Sequence, residues 1–208
     1  RHLKVGSGEP LEEAEHLYFT ASLHRAKRRL DEALRAIHRS RRIYRMVGDQ
    51  HLEGRSLMCE GAIRDLRGET EESLACCRLA RQQVSPDRDR RLAVAAHHNL
   101  VWQLMCTGRP QEALRELEEL RPAYAELNDQ ILLLKLRWME ARLAKELGRT
   151  DESERAFREA HAGFVEARIP YEADSVALDL AVLLAEQGRI RELKLLASEL
   201  VTVFRSMG

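Results

Sequence analysis

No window of the 208 residues holds 18 uncharged apolar residues in a row, so nothing in the sequence spans a bilayer. Net charge is missing too. The 34 Lys+Arg balance 34 Asp+Glu, which removes the simple electrostatic case for a nucleic-acid or anionic-lipid partner. Cysteine is scarce: Cys59, Cys76, Cys77 and Cys106, with no CxxC. Two of the four are adjacent, a poor geometry for a mutual disulfide. They read as reduced, mostly buried thiols of a cytoplasmic protein. HExxH, a Cys/His set with zinc spacing and a glycine-rich phosphate loop after a strand are all absent. The sequence therefore names no metal and no cofactor.

What is present is the composition of a folded chain, 33% charged and 44% apolar. Arg outnumbers Lys 29 to 5, as in GC-rich bacterial genomes. A repeat runs through it. Gly68, Gly108, Gly148 and Gly188 stand 40 residues apart, and one step further back lies Arg28. Five residues past each mark come Ala33, Ser73, Ala113, Ser153 and Leu193. Ile37, Cys77, Leu117, Phe157 and Ala197 follow at +4, then Ser40, Ala80, Leu120, Ala160 and Leu200 at +7. That spacing puts all three sets on one face of a helix. Twelve residues before the small residue stand Ala21, Gly61, Val101, Ala141 and Ala181.

Small residues on consecutive helices let the two approach closely. Each unit is expected to be a hairpin of a helix A and a helix B. Glycine supplies the left-handed backbone that ends helix A, and the polar residues after it are expected to cap helix B. Gly48-Asp49, Ser85-Pro86-Asp87, Asn128-Asp129 and Ile169-Pro170 break the chain between hairpins. Ten helices result, at about 10–27, 31–47, 50–67, 70–84, 89–107, 110–127, 130–147, 151–167, 172–187 and 190–206. Pro122 predicts a bend inside one of them. The units span about 10–47, 50–84, 89–127, 130–167 and 172–206 of a single repeat domain over 1–208. The first residue is Arg1 rather than Met, which reads as a domain cut from a longer protein. The fold class is all-α.

The pattern small–x₆–G–x₄–A–x₃–F–x₂–A, best carried by 61–80 and 141–160, resembles the tetratricopeptide repeat (TPR). The period of 40 is longer than the usual 34 and is similar to that of kinesin light chains and many bacterial regulators. The resemblance implies a right-handed α-solenoid of about five TPR-like hairpins whose A helices line a concave groove. It also implies that the groove receives Arg55, Met58, His98, Asn99, Trp102, Lys135, Trp138 and Arg142, beside Tyr18, Ser22, Arg25, Asp65, Met105, Lys145, Leu178 and Val182. Both tryptophans fall in this set. They either anchor a partner segment, as Trp and Arg do at binding hot spots, or pack between successive A helices. The cations can receive carboxylates, although a solvated helix face explains them as well.

The function expected from the resemblance is a protein–protein interaction scaffold, a module of a larger bacterial regulatory protein in the cytoplasm. An alternative is a sensor domain for a peptide or small ligand. A third reading is nucleic-acid contact through residues 25–45, which hold nine basic residues against Asp31 and Glu32. The scarcity of nearby aromatic platforms disfavours it. Ser40, Ser73, Ser153 and Cys77 occupy packing positions, so no enzyme is expected. His97-His98 is a helical pair with divergent rings, one inward and one outward. Val203 and Phe204 have no following helix to cover them, which admits a homodimer through the termini.

Overall fold

The computed structural model describes residues 8–207, and side chains over 9–198. Ten α-helices make up the described residues: α1 (Gly8–Ala26), α2 (Leu30–Val47), α3 (Gln50–Leu66), α4 (Thr70–Gln83), α5 (Arg90–Cys106), α6 (Pro110–Leu127), α7 (Gln130–Glu146), α8 (Thr150–Glu166), α9 (Pro170–Glu186) and α10 (Ile190–Met207). No strand occurs among them. Odd-numbered helices are the A helices of the repeat and even-numbered ones the B helices. The chain divides into two compact units, the first ending at Leu120 and the second starting at Arg121. The division falls inside α6, which stays helical through Pro122. Val203 and Phe204 lie outside the described side chains.

The turns inside the hairpins share one construction. Gly68, Gly108, Gly148 and Gly188 have φ of 78°, 68°, 73° and 70°. No atom lies within 4 Å of a Cβ placed on any of them, so backbone conformation and not space calls for glycine. The next N–H bonds back into helix A, Glu69 to Arg64 at 3.0 Å and Arg149 to Ala144 at 2.8 Å. In the first hairpin Arg28 adopts φ 58° instead, and Arg29 N bonds to His24 O at 2.9 Å.

Capping departs from the sequence expectation. The B helices α2, α4 and α8 follow Arg29, Glu69 and Arg149, none of which makes a side-chain cap. Arginine has no acceptor to offer, and the Glu69 carboxylate is occupied by Arg64 and Arg67. Acidic residues in the first turn (Asp31, Glu32, Glu71, Glu72, Asp151, Glu152) meet the helix dipole in their place. The side-chain caps sit on A helices. Asp49 accepts from Leu52 N, Asp89 from Leu92 N, and Asp129 from Ile131 N and Leu132 N.

Within each unit, hairpins close at the small positions. In the first unit Ala21, Ala33, Gly61, Ser73, Val101 and Ala113 are all buried. Ala141 and Ser153 do the same in the second. The serines add a tie across the crossing: Ser73 Oγ donates to Gly61 O at 2.9 Å and Ser153 Oγ to Ala141 O at 2.8 Å. The +4 and +7 positions are core from Ile37 to Ala160, with Ile37, Phe157 and Ala160 fully enclosed. The last hairpin differs, because Ala197 is exposed instead of inward. Leu193 and Leu196 take the contact with the core of Phe157, Phe164, Val176 and Leu180, and Ala197 turns to solvent.

A left-handed arginine costs about 1 kcal/mol relative to glycine. Arg28→Gly should therefore raise stability by about that amount, and Gly148→Ala should lower it similarly. Urea midpoints of the two variants against wild type check both signs.

Candidate functional site

The predicted groove residues belong to A helices, and several of them sit where one A helix meets the next within a unit. Arg55 of α3 is the centre of the first group. Its guanidinium carbon lies 4.3 Å from the centroid of the Tyr18 ring on α1. It pairs with Glu15 of α1 and donates to the Tyr44 hydroxyl at 3.2 Å. Tyr44 in turn donates to Glu15 at 3.0 Å. The hydrogen bond from Arg55 holds the Glu15 carboxyl below its ordinary value, more than burial raises it, with help from Tyr44. Burial and the Glu15 carboxylate push the Tyr44 phenol up to about 12. One turn along α1, Ser22 Oγ and Cys59 Sγ approach to 3.9 Å. Asp65, the last α3 residue expected in the groove, accepts from Gln103 of α5 at 3.0 Å.

Met58 is half-buried against the core of Leu57, Cys76 and Val84. His98, Asn99 and Trp102 are half-buried on α5, one turn apart from 98 to 102, while His97 turns inward. Met105, also expected in the groove, is buried.

The second unit repeats the arrangement with more pairs. Lys135 of α7 pairs with Glu172 of α9 at 3.5 Å, and Lys145 with Glu186 at 2.9 Å. Between them the Trp138 indole donates to Asp179 Oδ2 at 2.7 Å, and Arg142 reaches the same oxygen at 3.3 Å. The other side of Trp138 meets Phe164 edge to face, with centroids 6.4 Å apart. Trp138 therefore both packs on the core and presents an edge to the A-helix face. On α9 itself, Leu178 and Val182 are 53% and 49% exposed, on either side of Asp179.

Four cations of the expected groove thus receive carboxylates of this same chain. The acidic members, Glu15, Glu172, Asp179 and Glu186, were not read from the sequence. They stand 37 to 41 residues from their partners, about one repeat away. A search for opposite charges at that offset on A helices finds them.

The basic run at 25–45 is partly engaged in the same way. Arg39 pairs with Glu13 at 3.1 Å, Arg41 with Glu60, and Arg45 with Glu53 at 2.5 Å. Lys27, Arg28, Arg29, Arg35 and Arg42 remain exposed or half-exposed. The hydroxyls and thiols at the packing positions of the repeat are enclosed. Ser40, Ser73 and Ser153 are buried and donate to the carbonyls of Ala14, Gly61 and Ala141. Burial pushes the Cys76 and Cys77 thiols up to about 12 and about 11, far from the thiolate that nucleophilic chemistry needs. Cys59 and Cys76-Cys77 are buried, Cys106 is exposed, and none forms a disulfide.

No family model matches this sequence, and no curated protein is detectably similar to it. Solved structures are. A Rap protein complexed with competence and sporulation factor superposes with a TM-score of 0.78 over 91% of this chain, at 15% identity. The chain spans only 53% of that protein's length. A kinesin light chain of Podosopora anserina with nearly identical TPR-like repeats superposes at 0.73, 15% identity and 95% coverage, matching 97% of its own length. The chain has the TPR-type helical-repeat fold. Aspartyl phosphate phosphatase F from Bacillus subtilis shares it as well, at TM-score 0.71 and 10% identity, over 94% of this chain and 60% of that one. The all-α, TPR-like repeat fold that the resemblance implied is therefore the observed one.

The native Glu15 carboxyl binds its proton less readily than the unfolded one, whose ordinary value is 4.5. The stability it supplies is complete above that value and is lost as pH falls through the lowered native one. Glu15→Gln should flatten this part of the acid limb, and urea midpoints measured down a pH series check it.

Proposed function

We propose that the chain is a scaffold that binds a protein or peptide segment along its A-helix face, as a module of a larger bacterial regulatory protein. The observation that carries this reading is the strip in the second unit. Leu178 and Val182 stand i and i+4 on α9, half exposed, with Asp179 holding Trp138 and Arg142 beside them. Large apolar side chains exposed in a row and rimmed by fixed polar groups mark an interaction surface. The polar rim is already hydrogen-bonded within the chain, so a partner meets a prepared surface and little ordering entropy is lost on binding. Arg55, Met58, His98, Asn99 and Trp102 form the corresponding face of the first unit.

Two further observations support the reading. The Rap protein of the same fold is complexed with competence and sporulation factor, so a protein that includes this fold can hold a partner. Enclosed serine hydroxyls and cysteine thiols of raised pKa favour binding over catalysis. Among the described residues no helix is long and apolar enough to cross a membrane. Nucleic acid fits less well, since Arg39, Arg41 and Arg45 are occupied by glutamates.

Leu178→Asp/Val182→Asp puts charge on the strip without touching the core. Trp102→Ala/Trp138→Ala removes the aromatic anchors, although Trp138 also supports Phe164. Affinity capture from the source lysate should recover a partner with wild type and lose it with the aspartate pair, at unchanged helical circular dichroism. Equal recovery by both overturns the reading. A rise in melting temperature with a small ligand, in place of protein capture, selects the sensor alternative.

A further inference from the structure

The α5–α6 hairpin of the first unit gathers one imidazole and two carboxylates that the binding surface does not use. His97 of α5 and Glu116 and Glu119 of α6 each offer a ligating atom, and the three atoms lie within 4.8 Å of one another. Glu116 and Glu119 are three apart on α6, so both carboxylates rise from the same helix face. His97 is 4% exposed, and its Nε2 lies 2.8 Å from Glu116 Oε2. Apart from that contact, internal to the trio, no described group bonds the ring. Neither carboxylate has a Lys or Arg partner among the described residues. Arg81 stands near enough to act on His97 but pairs with neither glutamate.

We propose that His97, Glu116 and Glu119 bind a divalent transition-metal ion of the Zn²⁺ type. One nitrogen and two oxygen donors suit such an ion, with water completing its shell. Ligands about 2.0–2.1 Å from a tetrahedral metal are separated by about 3.3 Å, so small rotamer shifts close the site. A dication also relieves the mutual repulsion of two carboxylates three residues apart. Because the donors come from both helices, the ion clasps α5 to α6. This inference is independent of the A-helix surface and stands or falls separately.

The test is isothermal titration of the chelator-treated 208-residue chain with zinc chloride. One ion per chain is expected. Glu116→Gln/Glu119→Gln should weaken it at least tenfold while circular dichroism is unchanged, and Zn²⁺ should raise the melting temperature of wild type but not of this variant. Cys106→Ala removes the exposed thiol, the competing zinc ligand, and should bind as wild type does. Absence of binding, or binding lost with Cys106→Ala and kept by the glutamine variant, overturns the proposal.

Discussion

The closeness of helix A to helix B at one pair of small residues governs the rest of the hairpin. Gly61 lies so near its partner helix that a Cβ there would sit 3.4 Å from Cys76 and 3.5 Å from Cys77 and from Ser73 O, already at ordinary contact. With the backbones this close, the +4 and +7 side chains of helix B are driven into the core, and Ile37, Phe157 and Ala160 are fully enclosed. The serine hydroxyls at the crossing find a carbonyl on the other helix, so their burial leaves no polar group unsatisfied. The last hairpin shows the effect of relaxing that constraint. Leucine replaces the small residue, and the next core position, Ala197, turns outward.

Beyond the crossing, charge joins one hairpin to the next within each unit. Arg109 of the third hairpin reaches Glu71 of the second at 3.0 Å, and Arg189 reaches Glu154 at 2.6 Å. The equal totals of acid and base in the composition reflect this use. Exposed pairs of this kind contribute little individually, on the order of 0–1 kcal/mol. Glu60, buried among Arg41, Arg64 and His38, is different. Enclosed carboxylates are costly without partners, and Glu60 is met by Arg41 and His38 of α2 and by Arg64 of its own helix.

Glycine every 40 residues made the hairpins legible, since its left-handed backbone leaves a mark in sequence that few other residues can mimic. Boundaries came within a few residues. Three features were hidden. The helix caps were assigned to the wrong helices because a polar residue after a glycine looks like a cap, whereas Arg29 and Arg149 have no acceptor and Glu69 is engaged elsewhere. The partners of the surface cations were hidden because pairing depends on which helices are neighbours. Arg142 and Asp179 mean nothing to each other until α7 and α9 lie side by side. His97, Glu116 and Glu119 were invisible for the same reason, their spacing matching no zinc motif.

The hydrogen bond between Trp138 and Asp179 spans 41 residues, about one repeat, and none of the other side-chain bonds described above reaches further. Where contacts stop at the next repeat, as the element pairs of the described residues do, little loop-closure entropy is lost before each contact forms. Any hairpin can then serve as the starting point, with its neighbours adding in either direction. Folding of this chain is therefore a matter of local zipping, and a lesion in one repeat slows the growth at that place while the others still assemble.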